Sequence, residues 1–166
     1  MIRDKLKIVV FGAFDAGKSS FIRAVDPASK HVEARTAGGT TTVALDFGRV
    51  TIGGIKVFLF GTPGQERFEF VRQILSRGMD GAIVVVDATR MLDPMTCTLC
   101  EWLHESAVPF IILVNKCDHP DARPERFADL ADNGYVHCIS ARTGDQVDQA
   151  LTAFVERLGR LRRENK

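Results

Sequence analysis

The stretch Gly12-Ala13-Phe14-Asp15-Ala16-Gly17-Lys18-Ser19-Ser20 decides the fold. Its spacing is G-x-x-x-x-G-K-[ST], in which two glycines let the backbone turn tightly enough to aim successive N–H groups into one concavity. Those of Asp15, Ala16, Gly17, Lys18, Ser19 and Ser20 form a cradle sized for a phosphate. A helix starting beneath the anion adds the positive end of its dipole. Lys18 is placed to reach β- and γ-phosphates as a flexible point charge, and the Ser19 hydroxyl to ligate the Mg²⁺ that bridges them. The context fits, because Lys5-Leu6-Lys7-Ile8-Val9-Val10-Phe11 is a short apolar β-rich run and Ser19–Val25 reads as a helix.

Working outward, 166 residues suffice for one domain, 1–166, built on a two-sided sheet. The formal charge is +1, so no global field recruits nucleic acid or an anionic membrane. No apolar run approaches the roughly 18 residues a membrane helix needs, residue 2 is Ile, and the chain ends Arg162-Arg163-Glu164-Asn165-Lys166 without a cysteine. A cytoplasmic protein without an intrinsic membrane anchor is expected. Cys97 and Cys100 form a C-x-x-C, but no second pair accompanies them, so two small helical residues are the preferred reading over a zinc or redox site.

Strand and helix alternate along the chain. Strands are expected at Leu6–Phe11, Val43–Thr51, Ile55–Phe60, Gly81–Asp87, Phe110–Asn115 and Val136–Ile139. Gly53-Gly54 signals a tight hairpin, which makes the second and third of these antiparallel. The runs Gly81–Asp87 and Phe110–Asn115 are apolar throughout, as in strands covered on both faces. Helices are expected at Lys18–Val25, Phe68–Met79, Pro94–Ser106, Glu125–Asp132 (stopped at Asn133-Gly134) and Asp145–Arg163. Ser29–Thr42 shows no periodicity and reads as a long loop of the kind that carries function. The expected fold is α/β in three layers, a six-stranded mostly parallel sheet with one antiparallel strand and helices on both faces. Its ligands belong beyond the carboxyl ends of the strands.

Asn115-Lys116-Cys117-Asp118 follows one buried strand directly. The Asp118 carboxylate can accept from the N1–H and N2–H₂ edge of guanine, whereas adenine offers no such donor pair and leaves the charge unpaired. Asn115 is expected to tie this loop to the phosphate loop, and the Lys116 stem to lie over the purine. In Ser140-Ala141-Arg142, after the last strand, the Ala141 N–H is expected to donate to guanine O6 and Ser140 to brace Asp118.

With these motifs in order, the chain resembles the Ras-like small GTPases of the P-loop NTPase superfamily over nearly its whole length. The likeness rests on G-A-F-D-A-G-K-S, T-T-T-V-A-L-D-F, G-T-P-G-Q-E, N-K-C-D and S-A-R. F-D-A-G-K-S with F-G-T-P-G-Q-E-R-F looks most like prokaryotic Ras-like and Rab-like GTP-binding proteins. The resemblance implies a guanine-nucleotide switch that binds GTP and GDP with Mg²⁺, hydrolyses GTP slowly and answers to partner proteins. Such partners are an activating or exchange factor at the switch loops, or a small dimeric roadblock-type domain. It puts the switch I threonine at Thr42, with Thr41 as second choice, as an Mg²⁺ ligand in the GTP state. Gly64 then senses the γ-phosphate and Gln65 orients the attacking water.

Two positions depart from the family. Its Mg²⁺-holding aspartate at the end of the strand Ile55–Phe60 is Gly61 here, which predicts weak Mg²⁺ binding in the GDP state that Gly61→Asp should tighten. Phe14 stands where the family carries a glycine beside the γ-phosphate, and Pro63 replaces a common alanine. These departures favour the alternative, a GTP/GDP-binding regulatory module with negligible hydrolysis; Gln65, Gly64 and the threonine run favour the hydrolase. Trp102 reads as core or half-buried surface, the four histidines as solvated or hydrogen-bonded, and Arg157, Arg160, Arg162 and Arg163 as cations suiting a helix C-terminus. Phe47, Phe68, Phe70 and Val71 flank the switches as core or as an apolar partner surface.

Overall fold

A computed structural model describes residues 4–35, 42–62, 78–130 and 135–165. Seven strands form one sheet in the order β2-β3-β4-β1-β5-β6-β7. They are β1 Lys5–Gly12, β2 Lys30–Arg35, β3 Thr42–Ile52, β4 Ile55–Gly61, β5 Gly81–Asp87, β6 Phe110–Asn115 and β7 Val136–Cys138. β1 lies at the centre, parallel to β4 and β5, and the parallel run continues through β6 to β7. Only β3 runs against its neighbours, antiparallel to both β4 and β2. Gly53 and Gly54, both at positive φ, make the two-residue turn from β3 to β4.

Period-two alternation along β1 sends its side chains to two cores. Leu6, Ile8 and Val10 face a core closed by Phe21 and Ile22 of α1 (Lys18–Val25) and by Leu151, Phe154, Val155 and Leu158 of α3 (Val147–Glu164). Val9 and Phe11 face the other core, closed by Leu99 and Leu103 of α2 (Pro94–Glu105) and by Phe127. Trp102 is half-buried there, edge-on to Phe11 at 6.4 Å. β5 is buried at every residue, as its unbroken apolar run requires. Each Phe buried in this way contributes about 2–3 kcal/mol. At the end of α3, Arg162 reaches Asp80 and the Lys5 carbonyl, and Arg157 stacks over Tyr135 at 3.5 Å, so these two arginines are bound to specific partners.

Three expectations change. Residues 30–35, read as loop, form the edge strand β2, with Lys30 opposite Phe47 and Arg35 opposite Thr42. The alternation His31-Val32-Glu33-Ala34-Arg35 was its signal, faint because main-chain bonds to β3 hold an edge strand without a long apolar run. Among the described residues the sheet therefore has seven strands. The helix expected from Glu125 is a single 3-10 turn, Pro124–Phe127, followed by further i→i+3 bonds to Leu130. Phe127 is its one fully buried anchor, too little to hold an α-helical stripe. The closing helix starts at Val147, because Asp145 bridges to Ser140 and Gln146 takes a left-handed φ of 61°. Of the helix expected over 68–79, residues 68–77 lie outside the described residues, as does Asn133-Gly134.

Candidate functional site

The carboxyl ends of β1, β4, β5, β6 and β7 meet on one rim, and the phosphate-loop sequence leaves β1 there. Gly12 is where that loop passes closest to β5: a Cβ on it would meet the Val85 carbonyl oxygen at 2.5 Å. Asp15 (φ 65°) and Gly17 (φ 104°) turn the chain, and α1 begins at Lys18 with no side chain capping it. A helix N-terminus in this position suits an anion. Lys18 is buried, its amine folded back to donate to the Gly12 carbonyl. Ser20 lies two residues on from Lys18 in the same turn and lines the cavity beside the loop.

Asn115, at the end of β6 and 3% exposed, joins loops remote in sequence. Its Nδ2 donates to the Ala16 carbonyl at 2.9 Å and its Oδ1 accepts from the Ala141 N–H at 2.9 Å. The Ala141 N–H, expected to face a base, is here turned to Asn115. A buried amide with both ends engaged between two loops outcompetes an outward-facing donor. Lys116, at φ 67°, donates to the Asp15 carbonyl and to Asp87 Oδ2, both at 2.8 Å. Burial alone would raise the Asp87 pKa, but hydrogen bonds from Lys116 and Thr89 outweigh it and hold the carboxyl below its ordinary value. Asp87 was not singled out from sequence.

The Asp118 carboxylate receives two donors of one guanidinium, Arg142 Nε at 3.0 Å and Nη2 at 2.6 Å. Arg142, then Ser140, hold its pKa below the ordinary value. A pair of N–H donors converging on this carboxylate is the chemistry expected of a guanine edge, here met from within the chain. Ser140 thus stands beside Asp118 as expected.

Asp15, Gly17, Ser20, Arg23, Ala24, Asn115, Lys116, Asp118, His119, Ala141 and Arg142 line a cavity of about 590 Å³. It shares Asp15, Gly17 and Ser20 with a second of about 410 Å³, lined also by Lys18, Ser19, His31, Asp46, Gly61 and Thr62. Together they form one trough from the Asp118 end to the Lys18 end, in the size range of small-molecule sites. Phe14 borders the second cavity but is 71% exposed, so the ring does not plug it.

At the Lys18 end the Ser19 hydroxyl donates to Asp46 Oδ2, and His31 Nδ1 lies 2.6 Å from Asp46 Oδ1. The carboxylate sits between serine and histidine, so the histidine has no access to the hydroxyl as a base and the trio is not a nucleophilic triad. Asp46 is the acidic residue of T-V-A-L-D-F. Thr42 opens β3, where only its backbone is described; Thr41, Pro63, Gly64, Gln65, Phe68, Phe70 and Val71 lie outside the described residues. Phe47 packs on Phe58 and Phe60. Burial pushes the Cys100 thiol up to about 12, which suits a core residue of α2 and not a thiolate ligand. Among the described residues no cluster of three or more His, Cys, Asp or Glu could hold a metal, and no helix is long and apolar enough to cross a membrane.

Comparison with known proteins gives one family, described as the elongation factor Tu GTP binding domain, which matches residues 3–159. An uncharacterized protein of Methanocaldococcus jannaschii, MJ1339, is 36% identical over 121 residues, covering 73% of this chain and 76% of that protein. Translation initiation factor IF-2 of Solibacter usitatus is 34% identical over 128 residues, 76% of this chain but only 12% of the factor. Among solved structures, the G domain of the T. maritima FeoB iron transporter superposes with a TM-score of 0.68 at 21% identity, covering 92% of this chain and 98% of that one.

Proposed function

Because this chain belongs to the family of the elongation factor Tu GTP binding domain, a family of P-loop GTPases, we propose that it is a guanine-nucleotide switch. In this reading it binds GTP and GDP with Mg²⁺ and hydrolyses GTP slowly until a partner protein stimulates it. The observation that carries the reading is Asn115, which bonds the phosphate loop at Ala16 and the Ala141 loop and so ties together loops at the two ends of one trough. Asp118 and Ser140 are assigned to the base, with Ala141 and Arg142 bordering it. Lys116 is assigned to the purine face and the sugar side. Asp15 to Ser20 are assigned to the phosphates. Arg142 must release Asp118 when a base enters, which its exposure permits.

Mg²⁺ takes hard oxygen ligands, few of them from protein, and the Ser19 hydroxyl beside the Asp46 carboxylate is a donor set of that kind. When bound, the ion neutralises charge on the β- and γ-phosphate oxygens. Thr42 is proposed to join in the GTP state, Gly64 to sense the γ-phosphate and Gln65 to orient the attacking water. The partner is proposed to act at the segments around Thr42 and Gln65, as an activating or exchange factor or a dimeric roadblock-type domain, in the cytoplasm. An arginine finger is worth about 10³ to 10⁵ in kcat in such systems, so the isolated chain is expected to be slow.

Single-turnover GTP hydrolysis with Mg²⁺, alone and with cell extract, tests the reading. Slow turnover, stimulated by extract and depressed by Gln65→Leu, is expected. Fast turnover of the isolated protein that survives Gln65→Leu would refute the assignment of Gln65, and no turnover under any condition would leave a binding module.

A further inference from the structure

The corner between β3, β4 and the start of α1 is built around one carboxylate. Asp46 is the cross-strand partner of Gly61 in the β3–β4 ladder. Its Oδ2 accepts from the Ser19 hydroxyl and its Oδ1 faces the His31 ring. Lys18 lines the same cavity, and among the described residues the only other carboxylate lining it, Asp15, is mostly exposed and turned toward Arg90 at 3.8 Å. Gly61 is what makes room. A Cβ at position 61 would meet the Cβ of Asp46 at 3.1 Å and Cδ1 of Ile22 at 2.8 Å, with Asp46 Oδ2 only 3.6 Å away. A side chain at position 61 would therefore crowd Asp46 and Ile22, which would have to shift to admit it.

We propose that Asp46, on β3, is the protein carboxylate of the Mg²⁺ site, taking the ion or one of its waters beside Ser19. Octahedral Mg²⁺ with oxygens at about 2.1 Å sets adjacent ligands about 3 Å apart. A carboxylate within hydrogen-bond reach of a liganding serine is therefore also within reach of a neighbouring ligand water. With the ion absent, the serine proton satisfies the same oxygen. Gly61 is then no gap in the metal site, since its missing side chain is the condition for Asp46 to reach it. This inference rests on the nucleotide-switch reading and names a residue that the motif comparison passes over.

The test is Mg²⁺ affinity of the GDP complex, read as the free Mg²⁺ concentration that half-suppresses release of a fluorescent GDP analogue, with GDP affinity in EDTA measured in parallel. Asp46→Asn keeps the shape and an acceptor for Ser19 but loses the charge; Asp46→Ala removes both. Either is expected to raise the Mg²⁺ requirement by about 10- to 100-fold, the usual cost of losing a carboxylate around a bound metal. GDP affinity in EDTA should stay within about twofold. Gly61→Asp is expected to fail to tighten Mg²⁺, whereas Asp46→Ala/Gly61→Asp should recover part of the lost affinity. An unchanged Mg²⁺ requirement in Asp46→Asn, or tightening by Gly61→Asp alone, overturns the assignment of Asp46. Failure of the unmutated protein to bind GDP both in EDTA and in saturating Mg²⁺ would instead remove the nucleotide reading.

Discussion

Asn115→Ala is the perturbation whose size follows most directly from the structure. The side chain makes two buried hydrogen bonds, to the Ala16 carbonyl and from the Ala141 N–H. Removing it leaves both backbone groups without that partner in a corner where Asn115 is 3% exposed. Each orphaned buried group costs about 1–3 kcal/mol, so the loss is expected at about 2–4 kcal/mol once some water enters the space. Asn115→Asp should be worse still. It keeps an acceptor for Ala141 but sets an oxygen against the Ala16 carbonyl and buries a charge. Gly17→Ala attacks the same bond from the other side, since its Cβ would fall 2.1 Å from Asn115 Nδ2. The double variant should therefore cost less than the sum of the two. Urea denaturation at matched m-values measures stability, and titration calorimetry with GDP measures the site. GDP affinity should fall with stability, because the two loops lose their spacing. A cost below about 1 kcal/mol for Asn115→Ala, an aspartate variant no worse than alanine, or unchanged GDP affinity would refute the reasoning.

Asp118→Asn should weaken guanine nucleotides and improve xanthine nucleotides, whose base presents an acceptor where guanine has its amine; competition binding reads this, and equal affinity of the unmutated protein for ATP and GTP would refute it. Asp87, its carboxyl held below the ordinary 3.8, contributes stability that is complete above that value and is lost as pH falls through the depressed pKa. The stability gap between the unmutated protein and Asp87→Asn should be constant near neutrality and narrow below about pH 4, and a gap constant down to about pH 3 would refute the assignment.

Legibility followed burial. β1, β5 and β6 are apolar runs that only a sheet covered on both faces can accommodate, and their expected limits lie within one residue of those observed. The β3–β4 turn was legible because Gly53-Gly54 is a local signal with a local cause. β2 was not, since an edge strand is held by hydrogen bonds to β3 that leave little trace in side-chain pattern. At Pro124 the sequence suggests a longer helix than the single turn present, because apolar spacing cannot report how few contacts anchor it. At the candidate site, Asn115 was placed correctly between two loops, but the partner of its Oδ1 depended on where the Ala141 N–H points, which no motif encodes.

The role proposed for Asp46 turns on what a motif comparison leaves out. A motif compares position 61 with position 61, whereas the metal corner is a volume reached from two strands. In an antiparallel ladder, directly opposed residues carry Cβ atoms about 5 Å apart on the same face, so a carboxylate can move from β4 to β3 with little change in what its oxygens touch. The move has a steric condition, that the vacated position lose its side chain, and Gly61 meets it. It also has a polar one, that both carboxylate oxygens find partners without an ion, and Ser19 and His31 meet that. The proposal thus pairs the glycine with the aspartate opposite it, a pairing that the β3–β4 register makes visible.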